Sequence, residues 1–196
     1  MNLIYTTDYQ SNKYAPGSMH ETNENGLFEI LGKVGGEAGG ITYAIRFVNT
    51  GTIRSVLVSN ISKGTIKDPN ARTVFGQGYI GFGPYKTKKG SKMTREHTLW
   101  FCMLRRCYSG YDTNEIGEVE VCERWKCFQN FCEDITQIPG YDKWLAGESY
   151  SLDKDKVGNS QLYSANTCVF ISASENSSIG SAKTPVRHCI SPSGVI

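Results

Sequence analysis

Apolar and polar residues alternate with a period of two along residues 41–47, where Ile41, Tyr43, Ile45 and Phe47 are separated by Thr42, Ala44 and Arg46. That period describes a half-buried strand. Asn49-Thr50-Gly51 follows as a three-residue hairpin loop, with glycine where positive φ is needed. The return strand sets Ile53, Ser55 and Leu57 against Arg54, Val56 and Val58. An earlier strand is expected over residues 27–33, and a further short one near residues 61–66. Short strands this closely spaced predict a small antiparallel module, barrel-like or a curled sheet. Its expected core is Ile41, Tyr43, Ile45, Phe47, Ile53 and Leu57. Gly76-Gln77-Gly78-Tyr79-Ile80-Gly81 is a literal GxGxxG. A dinucleotide site also needs a helix after it and an acid about 20 residues on. Here Gly83-Pro84 and a lysine cluster follow, which favours a tight turn, structural or close to a phosphate.

Beyond Thr94 the period lengthens. Trp100, Met103, Leu104 and Cys107 recur at i, i+3, i+4 and i+7, the core stripe of a helix that Thr94 opens and Tyr108-Ser109-Gly110 ends. Arg105 and Arg106 lie off that stripe. His97 falls in the first turn, where a polar surface position is expected, with service as a base from another element as the alternative. A strand over residues 118–122 leads into a second helix. That helix carries Trp125, Phe128, Phe131, Cys132 and Ile135 on one face and ends before Pro139-Gly140. Residues 149–178 then read as strand (150–154), polar loop, strand (167–171) and helix. Ser172 and Glu175 form a capping box at the helix start. The chain therefore divides into a polar arm (1–25), a β-module (26–85), a mixed domain (86–178) and a loosely packed tail (179–196).

Composition adds limits. Of 196 residues, 39% are hydrophobic and 20% charged, as in ordinary soluble globular proteins. No apolar run approaches the roughly 18 residues of a membrane span, and residues 1–10 lack a signal-peptide pattern, so a cytoplasmic protein without a membrane partner is expected. The seven cysteines lack zinc-finger spacing; reduced, buried thiols are the plain reading, with zinc or disulfides as alternatives. A net charge of +2 decides nothing, but its distribution does. Residues 86–106 hold seven basic side chains (Lys86, Lys88, Lys89, Lys92, Arg95, Arg105 and Arg106) against one acid, Glu96. Such a stripe suits phosphates.

Oxygen-bearing side chains cluster in the last unit. Asp153 and Asp155 close its first strand, Asn166 precedes the second, and Asn176 lies on the helix. A ββα arrangement can bring these places around one divalent ion, and an oxygen-rich set favours Mg²⁺ or Mn²⁺ over zinc. The plainer alternative pairs Asp153 and Asp155 with Lys154, Lys156 or the basic helix, and uses Asn166 to pin the loop.

This unit resembles the ββα-metal motif of HNH endonucleases, in the divergent form found in phage and mobile-intron homing enzymes. The resemblance is carried by Leu152-Asp153-Lys154-Asp155, by Tyr163-Ser164 with Asn166 and Cys168, and by Asn176. Upstream it includes Trp100, Met103-Leu104, Arg106-Cys107-Tyr108, Val121-Cys122-Glu123, Trp125, Phe128-Gln129-Asn130-Phe131 and residues 74–86. It spans residues 26–178. It implies an α+β protein in which a β-barrel-like module precedes a helical segment and an HNH-like ββα-metal unit. The implied activity is metal-dependent hydrolysis of phosphodiesters in double-stranded DNA, by an endonuclease or nickase in the cytoplasm of a phage host. Asp153, Asp155 and Asn166 would be catalytic, and Asp153, Asp155 and Asn176 would hold Mg²⁺ or Mn²⁺. DNA would contact Lys86, Lys88, Lys89, Lys92, Arg95, Arg105, Arg106, Lys154 and Lys156. The sequence departs from the pattern where the general-base histidine is placed, which here is Asp153, and Asn176 stands at the final histidine position. An aspartate near its ordinary pKa of ~3.9 is a weaker base than histidine. Asp153 would then ligate the ion while solvent or substrate phosphate takes the proton. The alternative function is a non-cleaving DNA-binding protein on the same scaffold, a phage regulator or accessory factor.

Overall fold

The computed structural model describes residues 5–6, 12–34, 40–110, 119–157 and 161–182. The chain forms two compact units, Met1–Gly83 and Pro84–Ile196, in an α+β fold.

The first unit contains strands β1 (Tyr5–Thr6), β2 (Met19–Thr22), β3 (Gly26–Val34), β4 (Thr42–Phe47) and β5 (Ile53–Leu57), then helix α1 (Val58–Lys63). All pairings are antiparallel. β3 holds β4 on one side, with β5 beyond it, while β1 and β2 share its other edge. The registers Phe28↔Phe47, Ile30↔Ile45 and Tyr43↔Val56 put those six side chains on one face, where all are buried with Ile61, Ile66 and Tyr14. The sheet stays open rather than closing into a barrel, because the chain leaves β5 directly into α1, which brings Ile61 to this core. Residues 58–63 are accordingly helical, not a strand, and Gly64 at φ 65° ends the helix.

One further expectation fails in this unit. Ile41, Ile53 and Leu57 are exposed (48%, 49% and 37%), and Val56 is the β5 residue in the core. A strand shifted by one residue presents its opposite face, and pairing Val56 to Tyr43 fixes the choice. Part of the polar arm joins the sheet. β2 pairs along β3, and Tyr14, in a short 3₁₀ turn (Asn12–Tyr14), is buried with its hydroxyl 2.8 Å from Ser62 Oγ. The GxGxxG segment is a tight turn: Val74 and Gly78 bond each other's backbone across Phe75 and Gly76, both at positive φ.

The second unit begins with a two-stranded ribbon, β6 (Lys88–Lys89) and β7 (Lys92–Met93), and helix α2 (Arg95–Tyr108). Then come β8 (Glu120–Val121), α3 (Glu123–Lys126), α4 (Phe128–Ile135), α5 (Tyr141–Ala146), β9 (Tyr150–Asp153), β10 (Leu162–Tyr163), β11 (Val169–Ser172) and α6 (Ala173–Ala182). The α2 stripe is buried as its period predicts. Trp100 is fully enclosed, donates from Nε1 to Trp125 O at 2.8 Å, and meets the Phe128 ring edge-on at 5.5 Å. The second helical stretch is broken at Cys127, which is extended (φ −83°, ψ 121°), yet Trp125, Phe128, Phe131, Cys132 and Ile135 all stay in the core. His97 is 9% exposed, enclosed by the rings of Trp100, Phe101 and Phe128, and so is not the surface residue its position implied.

Helix α5 was not foreseen. Its residues Tyr141 and Trp144 pack on Phe170 of β11, and Phe170 N donates to Pro139 O at 3.1 Å. β9 and β11 pair antiparallel, Asp153 opposite Val169 and Tyr150 opposite Ser172, and α6 follows at once. Between them β10 turns aside to pair parallel with β8. The capping box forms: Glu175 N donates to Ser172 Oγ (3.3 Å) and Ser172 N to Glu175 Oε2 (3.1 Å). α6 extends to Ala182, into the segment expected as tail; residues 183–196 lie outside the described residues. The six described cysteines are free, and no described helix is long and apolar enough to cross a membrane.

Gly140 gives a direct test of the α5–β11 junction. Its φ is +86°, and a Cβ there would stand 2.6 Å from Phe170 O, whereas Gly90 at φ +64° has open space around it. Both Gly90→Ala and Gly140→Ala carry the left-handed strain of about 1 kcal/mol. Gly140→Ala should cost clearly more, by at least another ~1 kcal/mol, in urea unfolding followed by tryptophan fluorescence.

Candidate nucleic-acid interface

Lys86, Lys88, Lys89 and Lys92 lie on or beside the β6–β7 ribbon, and all four are exposed. The register places Lys89 directly across from Lys92, and Lys88 across from Met93. Like charges directly opposite destabilise a strand pair. Among the described residues none of the four lysines forms an ion pair. Elsewhere in the unit Arg124, Lys126, Lys154 and Lys156 all have acidic partners.

The ribbon is nonetheless held at its base on both strands. Gln129, 7% exposed on α4, accepts from Tyr85 N at 2.9 Å and donates to Tyr85 O at 3.0 Å. On the second strand of that base Thr94 N donates to Thr87 O (3.0 Å), and Thr94 Oγ1 donates to Lys86 O (3.0 Å). The same hydroxyl caps α2 by accepting from His97 N at 3.3 Å. Sequence reasoning assigned Gln129 no role. Its signal was an amide beside Phe128, between the apolar positions Phe128 and Phe131 of the helical stripe.

The arginines differ from that picture. The Arg95 guanidinium lies 4.8 Å from the Trp144 ring centroid and donates to Leu145 O at 3.4 Å. Arg106 donates to Tyr163 Oη at 2.6 Å. Both are partly committed to the protein, on one face of α2 about three turns apart, while a guanidinium's five donors leave others for a ligand. Arg105 is exposed.

Lys154 is not on the surface. It is 7% exposed, with Nζ 3.2 Å from Asp155 Oδ1 and 5.6 Å from the Tyr163 ring centroid, so it serves packing rather than phosphate contact. Lys156 is exposed and bridges Glu175 at 2.8 Å. That bridge, with the Ser172 hydrogen bonds, holds the Glu175 carboxyl down at about 2.

The carboxylates of the ββα region are arranged differently from the strand expectation. β9 ends at Asp153, and Asp155 lies in the following turn, so the two do not share a strand face. Asp153 Oδ1 accepts from Asp155 N (3.0 Å) and Lys156 N (2.8 Å), capping that turn. Its Oδ2 has no hydrogen-bond partner among the described residues. Asp153 also lies near Cys168, whose thiol burial pushes up to about 11, with a further rise from Asp153. Asn166 and Asn176 are both exposed, and neither hydrogen-bonds Asp153 or Asp155. The loop before β11 is pinned by Thr167 instead, which accepts from Ser164 N (3.0 Å) and donates to Leu162 O (2.6 Å). Among the described residues no group of three or more His, Cys, Asp or Glu side chains could together hold a metal ion. None of His97's contacts there involves Asp153 or Asp155.

No family model, no curated protein and no solved structure matches the chain.

The enclosed His97 gives a pH test. Burial, and secondarily Lys88, holds its pKa below the ordinary 6.5. A depressed folded value means the stabilising contribution is complete above pH 6.5 and is lost as pH falls through the folded value. Between pH 7.5 and 5.5 the melting temperature should drop further in wild type than in His97→Phe, which has no proton to take up there.

Proposed function

We propose that this chain binds double-stranded DNA, with the β6–β7 ribbon laid against the phosphate backbone. The observation that carries this reading is the lysine set itself: exposed, without acidic partners, two of them directly opposed, and mounted on a ribbon fixed to α2 and α4. Phosphates relieve the repulsion, and a prefixed array loses little freedom on binding. A two-stranded ribbon is also one of the elements that the DNA major groove admits. Arg95, Arg105 and Arg106 extend the basic surface along α2, and Lys156 joins it if Glu175 releases it. The setting is the cytoplasm of a phage host cell.

A second reading adds catalysis: an HNH-type, metal-dependent DNA endonuclease or nickase. One observation favours it, the β9–β11–α6 order that ends β9 on Asp153 with Oδ2 unpartnered. The resemblance across residues 26–178 supports the same reading. Mg²⁺ commonly takes only one or two carboxylates, with water and substrate phosphate completing its shell, so Asp153 with Asn166 or Asn176 is a sufficient protein share. Asp155 contributes less, because Lys154 offsets its charge. The ion's part is to neutralise charge on the scissile phosphate and the leaving oxygen. Without cleavage, the same surface serves a regulator or accessory protein.

Duplex affinity should fall steeply between about 50 and 200 mM salt. Replacing Lys86, Lys88, Lys89 and Lys92 together by alanine should flatten the log–log slope by about 3–4, at roughly 0.9 per phosphate contact. A flat wild-type response overturns the DNA reading. Supercoiled plasmid with Mg²⁺ or Mn²⁺ then separates the two forms of it. Nicking that Asp153→Asn abolishes, with binding retained, establishes the endonuclease; binding without nicking in either metal establishes the non-cleaving protein.

A further inference from the structure

Between the ribbon and the first turn of α2 lies a pocket of about 320 Å³, at the lower end of the range for small-molecule sites. Lys86, Lys88 and Lys89 line it on the ribbon side, Thr94 and Glu96 line it from the helix, and Tyr85 forms a wall. Its charges are mixed in a way that selects a ligand. Lysines on the ribbon wall attract an anion, while the Glu96 carboxylate repels one from its end of the pocket. Glu96 Oε1 accepts from Tyr141 Oη at 3.2 Å, and its other oxygen has no partner among the described residues. The Tyr141 phenol, pushed up to about 12 mainly by burial and by Glu96, remains a donor, so the carboxylate keeps an open acceptor site. The walls are fixed by the Gln129 and Thr94 hydrogen bonds to the ribbon.

A bare phosphate satisfies the lysines and meets only repulsion from Glu96. A ligand with a phosphate at one end and an N–H donor at the other satisfies both. Nucleotides have this layout, and a carboxylate accepting from the exocyclic amine of cytosine is a known base contact. We infer that this pocket takes one unpaired nucleotide, its phosphate on the ribbon lysines that line it and the amino group of its base on Glu96. This rests on the DNA-binding reading and narrows it: the chain would grip a strand end or an extruded nucleotide as well as the duplex backbone.

The test is calorimetric titration of the full chain with deoxycytidine monophosphate, thymidine monophosphate and inorganic phosphate at equal ionic strength. Deoxycytidine monophosphate should bind at least tenfold tighter than phosphate and several-fold tighter than thymidine monophosphate, whose base lacks the exocyclic amine. Lys88→Ala with Lys89→Ala should weaken binding of all three. Glu96→Gln should strengthen phosphate binding and shrink the nucleotide advantage, with an unchanged melting temperature reporting an intact fold. Equal affinity for nucleotide and phosphate, or an advantage unaltered by Glu96→Gln, overturns the inference. Duplex binding on the same samples keeps the two readings apart. Duplex binding without nucleotide preference leaves the DNA reading standing and removes this one; nucleotide preference without duplex binding does the reverse.

Discussion

Both hydrogen bonds of the Gln129 side chain go to the backbone of one residue, Tyr85. A buried primary amide must satisfy its donor and acceptor or forfeit about 1–3 kcal/mol for each left unpaired. Gln129 does so by fixing the start of the segment that carries Lys86, Lys88, Lys89 and Lys92. Its own position is set by Phe128, packed on Trp100 and His97, and Trp100 is tied to Trp125 by its indole hydrogen bond. The aromatic core of the second unit thus reaches the surface through one amide. Thr94 completes the attachment by closing the ribbon and capping α2 with one hydroxyl.

What was legible in the sequence is what local periodicity determines. The α2 stripe, the Thr94 start, β4 and the Ser172–Glu175 box depend on residues within a turn or two of each other. What was not legible depends on distant pairing. The inward face of β5 turns on the register Tyr43↔Val56, and the alternation Ile53, Ser55, Leu57 pointed to the wrong side. β1 and β2 have no periodicity of their own and are strands because β3 offers them an edge. The break at Cys127 and the short helix α5 follow from packing. At Gly140 the close approach of Phe170, on the third strand after it, requires a residue without a side chain.

The candidate site shows the same division. Exposure of the four ribbon lysines follows from their density and the lack of nearby acids, both plain in the sequence. Which basic residues the protein absorbs for itself was not plain, because aromatic and acidic partners come from remote segments. Arg95 finds Trp144, Arg106 finds Tyr163, and Lys154 is buried between Asp155 and the Tyr163 ring. Asp153 likewise became a turn cap once β9 ended one residue earlier than its pattern implied.

The most direct test of this account is residue-level chemical-shift mapping of the isotope-labelled chain during titration with a short DNA duplex. The account predicts that the largest perturbations fall on Tyr85 to Met93 and on the first turn of α2, around Arg95 and Glu96. The exposed sheet face of the first unit, marked by Met19, Leu27 and Ile53, should move little. A map centred on that sheet face, with the ribbon amides unmoved, would contradict it.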